Sequence, residues 1–192
     1  MLLISSPVSE LASAALAINV GHFDDPQHTQ GIAHLLEHML FLGTEKYPDT
    51  SEYQAFIRNH GGQNNAWTSS EHTNYFFSIE QKYFDNALSR FSDFFVSPIL
   101  DNQSVSNEIL TVESEFRLKI KEDNRRVLAV IKESINPDHP FSKFSVGNNQ
   151  TLKNENGELA QQLKEFYHQR YCAGKMKAVL CANATIAELE KM

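Results

Sequence analysis

The chain has 192 residues, with 17 Lys+Arg against 24 Asp+Glu, a formal net charge of −7 and a pI near 5.6. Its 41% hydrophobic and 21% charged residues are an ordinary globular mix, enough for one large domain with a buried core, and they exclude a disordered, collagen-like or disulfide-scaffold chain. The acid excess disfavours a nucleic-acid partner, because phosphate binding needs clustered Lys/Arg, and no apolar run reaches the ~18 residues that a membrane span needs.

In chain order, Leu2–Ile4 and Ala14–Val20 read as strands, the second ending at Gly21, and Asp24-Asp25-Pro26 marks a turn. Residues 28–41 carry Ile32, Leu35, Leu36, Met39 and Leu40 at helical spacing, with Gly43 as the stop. A second helix starts at Ser51, which can form a capping box with Gln54, and ends at Gly61-Gly62. Residues 64–70 and 73–80 form a predicted hairpin, Trp67 in one arm and Tyr75, Phe76, Phe77 and Ile79 in the other.

A third helix covers 84–95, its aromatic stripe read as core. One long helix is predicted over 102–135, ended by Asn136-Pro137-Asp138. A turn at 146–149, a helix at 159–171, a strand at 176–182 and a helix just begun at 185–192 follow. This interleaving predicts a single α+β domain over 1–192. A strand already under way at residue 2 and an unfinished last helix are expected of a piece of a longer protein. Cys172 and Cys181 read as small core residues, and Arg125-Arg126, the only basic pair, as part of a solvated helix face.

The chemistry lies in His34-Leu35-Leu36-Glu37-His38. On a helix His38 sits about 40° from His34, and Glu37 about 60° to the other side, so all three project from one face. Two imidazoles one turn apart can reach one Zn2+ at about 2 Å, with the carboxylate beside the remaining coordination position. Zinc there lowers the pKa of water toward neutrality, and the carboxylate can take its proton. Leu35, Leu36, Met39 and Leu40 make the surroundings apolar, where unpartnered His and Glu would be costly.

Catalytic zinc usually takes three protein ligands plus water. The predicted long helix offers Glu108, Glu113, Glu115 and Glu122. Glu108 and Glu115 share a face to within about 20°, whereas Glu113 lies about 160° from Glu115 and faces away. One of Glu108 and Glu115 would bind the metal and the other would orient a ligand. Geometry alone leaves the choice between them open.

His-x-x-Glu-His is the inverted zinc-peptidase motif. Over nearly its whole length the chain resembles the N-terminal catalytic domain of the insulinase/pitrilysin family of metallopeptidases. The resemblance rests on Gly31–Thr44 (GIAHLLEHMLFLGT), Ser70–Phe76 (SEHTNYF), Asn107-Glu108 with Val112–Glu115 (VESE), and His139–Phe144 (HPFSKF) with Gly147-Asn148. It implies a mixed, largely antiparallel sheet covered by helices, in the N-terminal zinc-bearing domain of a longer multi-domain peptidase. By the family pattern His34, His38 and Glu115 hold the zinc, Glu37 is the general base, and Glu108 is the outer carboxylate.

The resemblance also implies that an extended peptide adds to the strand carrying Asn64–Trp67. Asn65 and Ala66 would pair with its backbone, and Trp67 would wall a pocket. The other reading of Trp67 is a core aromatic. His72 is expected to be structural, and His22, His28, His60, His139 and His168 to be surface or capping residues.

Family members of this kind have four homologous domains in two halves that close into a chamber. The second half supplies an Arg and a Tyr for the substrate carbonyl and oxyanion. Losing such donors costs on the order of 10²–10³ in rate each, so this chain alone is expected to bind zinc and hydrolyse peptides poorly. The expected partners are a small or unfolded peptide and the C-terminal domains of the same chain. The alternatives are a non-catalytic scaffold or binding domain of the same fold and a processing-peptidase-like subunit. The complete set His34, Glu37, His38 and Glu115 favours the enzyme. The compartment stays open between periplasm, by analogy within the family, and cytoplasm.

Overall fold

Period-two burial builds the sheet in the computed structural model, which describes residues 1–192. In the strand Thr73–Glu80 (β4), Thr73, Tyr75, Phe77 and Ile79 are buried, while the alternate residues are only partly covered. Leu11–Ile18 (β2) buries Ala12, Ala14 and Ile18 on the same principle. With Leu2–Ser5 (β1), Gln63–Thr68 (β3) and Met176–Ala182 (β5), they form a five-stranded sheet in the order β1-β5-β2-β4-β3. Only the β1–β5 pair is parallel. The expected mixed, largely antiparallel sheet is therefore found, and β3 is one of its edges.

The helices are Ile32–Met39 (α1), Glu52–Asn59 (α2), Phe84–Asp93 (α3), Asn102–Lys119 (α4), Asp123–Ser134 (α5), Glu158–Arg170 (α6) and Ile186–Leu189 (α7). One core joins the inward faces of β2 and β4 to Leu35, Leu36 and Met39 of α1, Phe91 of α3, Val105 and Val112 of α4, and Leu163 of α6. The aromatic stripe of α3 lies in that core, as expected. Because α1 is apolar on nearly every side, it is held between β3, α4 and α6, and its polar residues are confined to one seam.

Several expectations are corrected. The predicted helix over 102–135 is two helices: Ile120 closes α4, and Glu122 takes an extended conformation (φ −71°, ψ 124°) that starts α5 in a new direction. No Gly or Pro marks this corner. α5 buries no residue completely, so its apolar spacing carried no information about a tertiary partner. The first helix begins only at Ile32, because Gly31 has φ +97°, and the second strand runs 11–18 instead of 14–20. Ser51 makes no capping box; its hydroxyl donates to Asp49 Oδ1 at 2.8 Å. Cys172 is exposed and Cys181 half-buried, and both are free thiols.

Candidate metal and peptide site

The site starts with how α1 is anchored. Asp25, in the loop before it, accepts from the amides of Gly31 (2.7 Å) and Ala33 (3.0 Å), satisfying donors that a helix start leaves bare. Gly31 then lies against Gly147: a Cβ on Gly31 would come within 2.3 Å of the Gly147 Cα. The segment after α5 is thereby pressed onto the start of α1. Lys143 strengthens the junction by donating to the carbonyls of Phe23 and Asp25, both at 2.7 Å.

Within this frame His34 and His38 turn the same way. His34 Nδ1 donates to the Val146 carbonyl at 2.7 Å, and His38 Nδ1 donates to Glu108 Oε1 at 2.8 Å. Each ring is thus held with Nε2 facing the other, 3.3 Å apart. Glu115 Oε2 completes the triangle at 3.6 Å from His34 Nε2 and 3.4 Å from His38 Nε2. Ligands about 2.0–2.1 Å from a tetrahedral zinc lie about 3.3–3.4 Å from one another, so the three atoms are spaced as one face of such a tetrahedron. The donor set of two imidazoles and a carboxylate suits zinc and leaves a fourth position for water.

Glu37 is buried on the same helix and accepts from Thr68 Oγ1 at 2.6 Å. Burial pushes its carboxyl up, against the Thr68 donor and the His38 charge. Burial and the charge of His38 lower His34. Burial also acts to lower His38, but its bonds to Glu108 and Glu115 outweigh that and lift it to about 9. Glu115 falls well below the usual carboxylate range, through its bond to His38 and its ion pair with Lys119.

Glu113, by contrast, faces away: its carboxylate binds Arg117 and the amide of Asn149. So α4 presents Glu108 and Glu115 to α1 together and turns Glu113 outward, as the helical spacing predicts. Two cavities of about 460 and 600 Å³ open on either side of Glu37 and His38, and both are bordered by Asn65 and Ala66 of β3. Trp67 is half exposed at the larger cavity and stacks edge-on against Phe76, so it is a surface wall and not a core aromatic. The amide of Ala66 donates to Asn65 Oδ1.

Among the other histidines, His60 and His139 bind backbone at element ends, and His28, His72 and His168 are exposed. His72 bonds Ser69 in the turn between β3 and β4. The expectation for His22 is corrected. It is buried at the wall of the larger cavity, with Nδ1 donating to the Ser69 carbonyl and Nε2 without a partner. Burial and the nearby Lys132 charge hold it down to about 4. The sequence carried no signal for Thr68 or Asp25. The HPFSKF segment was singled out, but not the Val146 carbonyl that lies just beyond it.

Residues 1–142 match the insulinase (peptidase family M16) profile. The whole chain is 38% identical to human insulin-degrading enzyme, and 92% of it is 41% identical to the A-factor-processing enzyme of Saccharomyces cerevisiae. It spans only 19% and 18% of those proteins. The crystal structure of pitrilysin superposes on 98% of the chain with a TM-score of 0.94 at 37% identity, using 20% of the pitrilysin chain.

Proposed function

Because the chain belongs to the insulinase family, peptidase family M16, we propose that it is the N-terminal, zinc-bearing domain of a longer, multi-domain metalloendopeptidase acting on small or unfolded peptides. The observation that carries the reading is the triangle of His34, His38 and Glu115 ligand atoms, 3.3–3.6 Å on a side, beside a buried Glu37 and an open sheet edge.

In this reading β3 aligns the peptide by main-chain hydrogen bonds through Asn65 and Ala66, and Trp67 bounds a side-chain pocket. Glu37, oriented by Thr68, accepts the proton of the attacking water and passes it to the leaving amide nitrogen. Glu108 and the Val146 carbonyl fix the tautomers of His38 and His34, so that each offers an Nε2 lone pair. When bound, zinc supplies Lewis acidity, making water a nucleophile near neutral pH and polarising the scissile carbonyl.

The test is zinc content by elemental analysis after adding one equivalent and desalting, together with chelator-sensitive cleavage of a quenched fluorescent peptide by the full-length protein. The parent and Glu113→Gln should retain metal, and Glu115→Gln and His38→Ala should lose it. Metal that depends on Glu113 and not on Glu115, or cleavage indifferent to chelator, overturns the assignment.

A further inference from the structure

The larger cavity is bordered both by the ligand triangle of α1 and α4 and by basic residues of α5. His34, Glu37, His38 and Glu115 border it. Arg125, Lys132 and the apolar side chain of Leu128, all from α5, border it as well, together with Trp67 and His22, while Lys119 lies beside the ligand triangle, paired with Glu115. In a chain of net charge −7 this concentration of cations is unexpected. It comes from the corner between α4 and α5, which folds Arg125 and Lys132 back toward Lys119.

The nearby acids do not cancel it. Glu115 is engaged with Lys119 and the imidazoles, and neither Glu122 nor Asp25 lines the cavity. Glu122 approaches Arg125 only to 3.8 Å. Lys132 donates to the Lys143 carbonyl at 2.6 Å and lies 5.4 Å from the centroid of the Phe141 ring, with no carboxylate paired to it. His22, on the same wall, is buried with Nε2 unpartnered.

We propose that this α5 side is a specificity subsite for a carboxylate of the bound peptide, an Asp or Glu side chain, received by Arg125 and Lys132 with its methylene stem against Leu128 and Trp67. This rests on the peptidase reading above, since β3 delivers the side chain to the cavity. Opposite charge in a partly enclosed pocket discriminates between a carboxylate and its isosteric amide more than shape can.

The experiment uses full-length protein and neutral, amidated decapeptides with a single Glu moved through each central position, each matched by its Gln counterpart. Dissociation constants are measured by calorimetry on a Glu37→Gln background, so that no turnover intrudes. At one position Glu should bind about tenfold tighter than Gln, with the advantage shrinking as NaCl rises. Arg125→Leu and Lys132→Gln should each reduce it, and Arg125→Glu should shift preference toward Lys. A Glu-free peptide with an unamidated C-terminus distinguishes a side-chain from a terminal carboxylate, and tighter binding of that peptide alone moves the assignment to the chain end.

Equal binding of Glu and Gln peptides at every position overturns the subsite, even if the variants fail to fold. A preference that survives both single variants overturns it as well. Cleavage by the parent protein is scored separately. A Glu preference in binding without chelator-sensitive cleavage removes the peptidase reading and keeps the subsite, whereas cleavage with no preference does the reverse.

Discussion

At the scale of single residues, the proposed site rests on a partner one step removed from the metal. Glu108 binds only the far nitrogen of His38, yet it fixes which nitrogen is free. Glu108→Gln keeps the shape and removes the charge; it should weaken zinc binding about 10–100-fold without unfolding the chain, as a chelator-competition titration would read. A change below twofold would mean that His38 is oriented by packing alone.

His22 and Asp25 make opposite contributions to stability. His22 titrates at about 4 in the folded chain against an ordinary 6.5, so between those values the unfolded chain binds more protons. Its stabilising contribution is complete above pH 6.5 and is lost as pH falls toward 4. Burial, outweighing two amide donors, lifts Asp25 from 3.8 to about 7, so its contribution is present below pH 3.8 and is lost as pH rises toward 7. His22→Gln removes only the first term. Its Tm relative to the parent should therefore rise steadily as pH falls from 6.5 to 4, and a constant difference across that range would refute the assignment.

At the scale of elements, the critical joint is the contact of Gly31 with Gly147. Gly31→Ala must accommodate both φ +97° and a Cβ 2.3 Å from Gly147 Cα. It should cost about 1–3 kcal/mol and weaken zinc binding as well, because the same joint sets the Val146 carbonyl under His34. Gly174→Ala, whose Cβ would meet nothing within 4 Å, is the control and should change neither Tm nor zinc affinity.

What the sequence revealed at this scale follows from its physics. Helical periodicity placed Glu108 and Glu115 on one face of α4 and turned Glu113 away, and alternation located the β3–β4 hairpin, because those patterns are local. The choice of Glu115 as ligand needed the family resemblance. The corner at Ile120–Glu122 was invisible: its residues are all compatible with helix, and the chain turns there to lay α5 beside the Phe144–Val146 segment. With the corner missed, the gathering of Lys119, Arg125 and Lys132 was missed too, although Arg125-Arg126 do lie on an exposed helix face as read. The burial of His22 depends on contacts across 47 residues of sequence, which no local pattern encodes.

At the scale of the molecule, the chain is about a fifth of the length of its relatives. The 192 residues alone should bind zinc, and saturating metal should raise Tm by mass action. They should cleave peptide far more slowly than the ~10 s⁻¹ typical of a whole enzyme. The full-length protein should restore the rate, if the second half supplies the oxyanion donors that the family resemblance implies. Turnover by the isolated chain at a normal enzyme rate would show that it needs nothing else.

The edge position of β3 has a further consequence, for solubility. A strand with one free side is a template for any extended backbone, including a second copy of itself. Here the edge begins Gln63-Asn64-Asn65, polar and poor in β-branched residues, and the Asn65 side chain covers the Ala66 amide until something better arrives. Burying that edge permanently would protect against aggregation and close the cleft. Leaving it open under a local hydrogen-bond cap discourages fibril-like stacking while keeping the edge available for the strand addition proposed above.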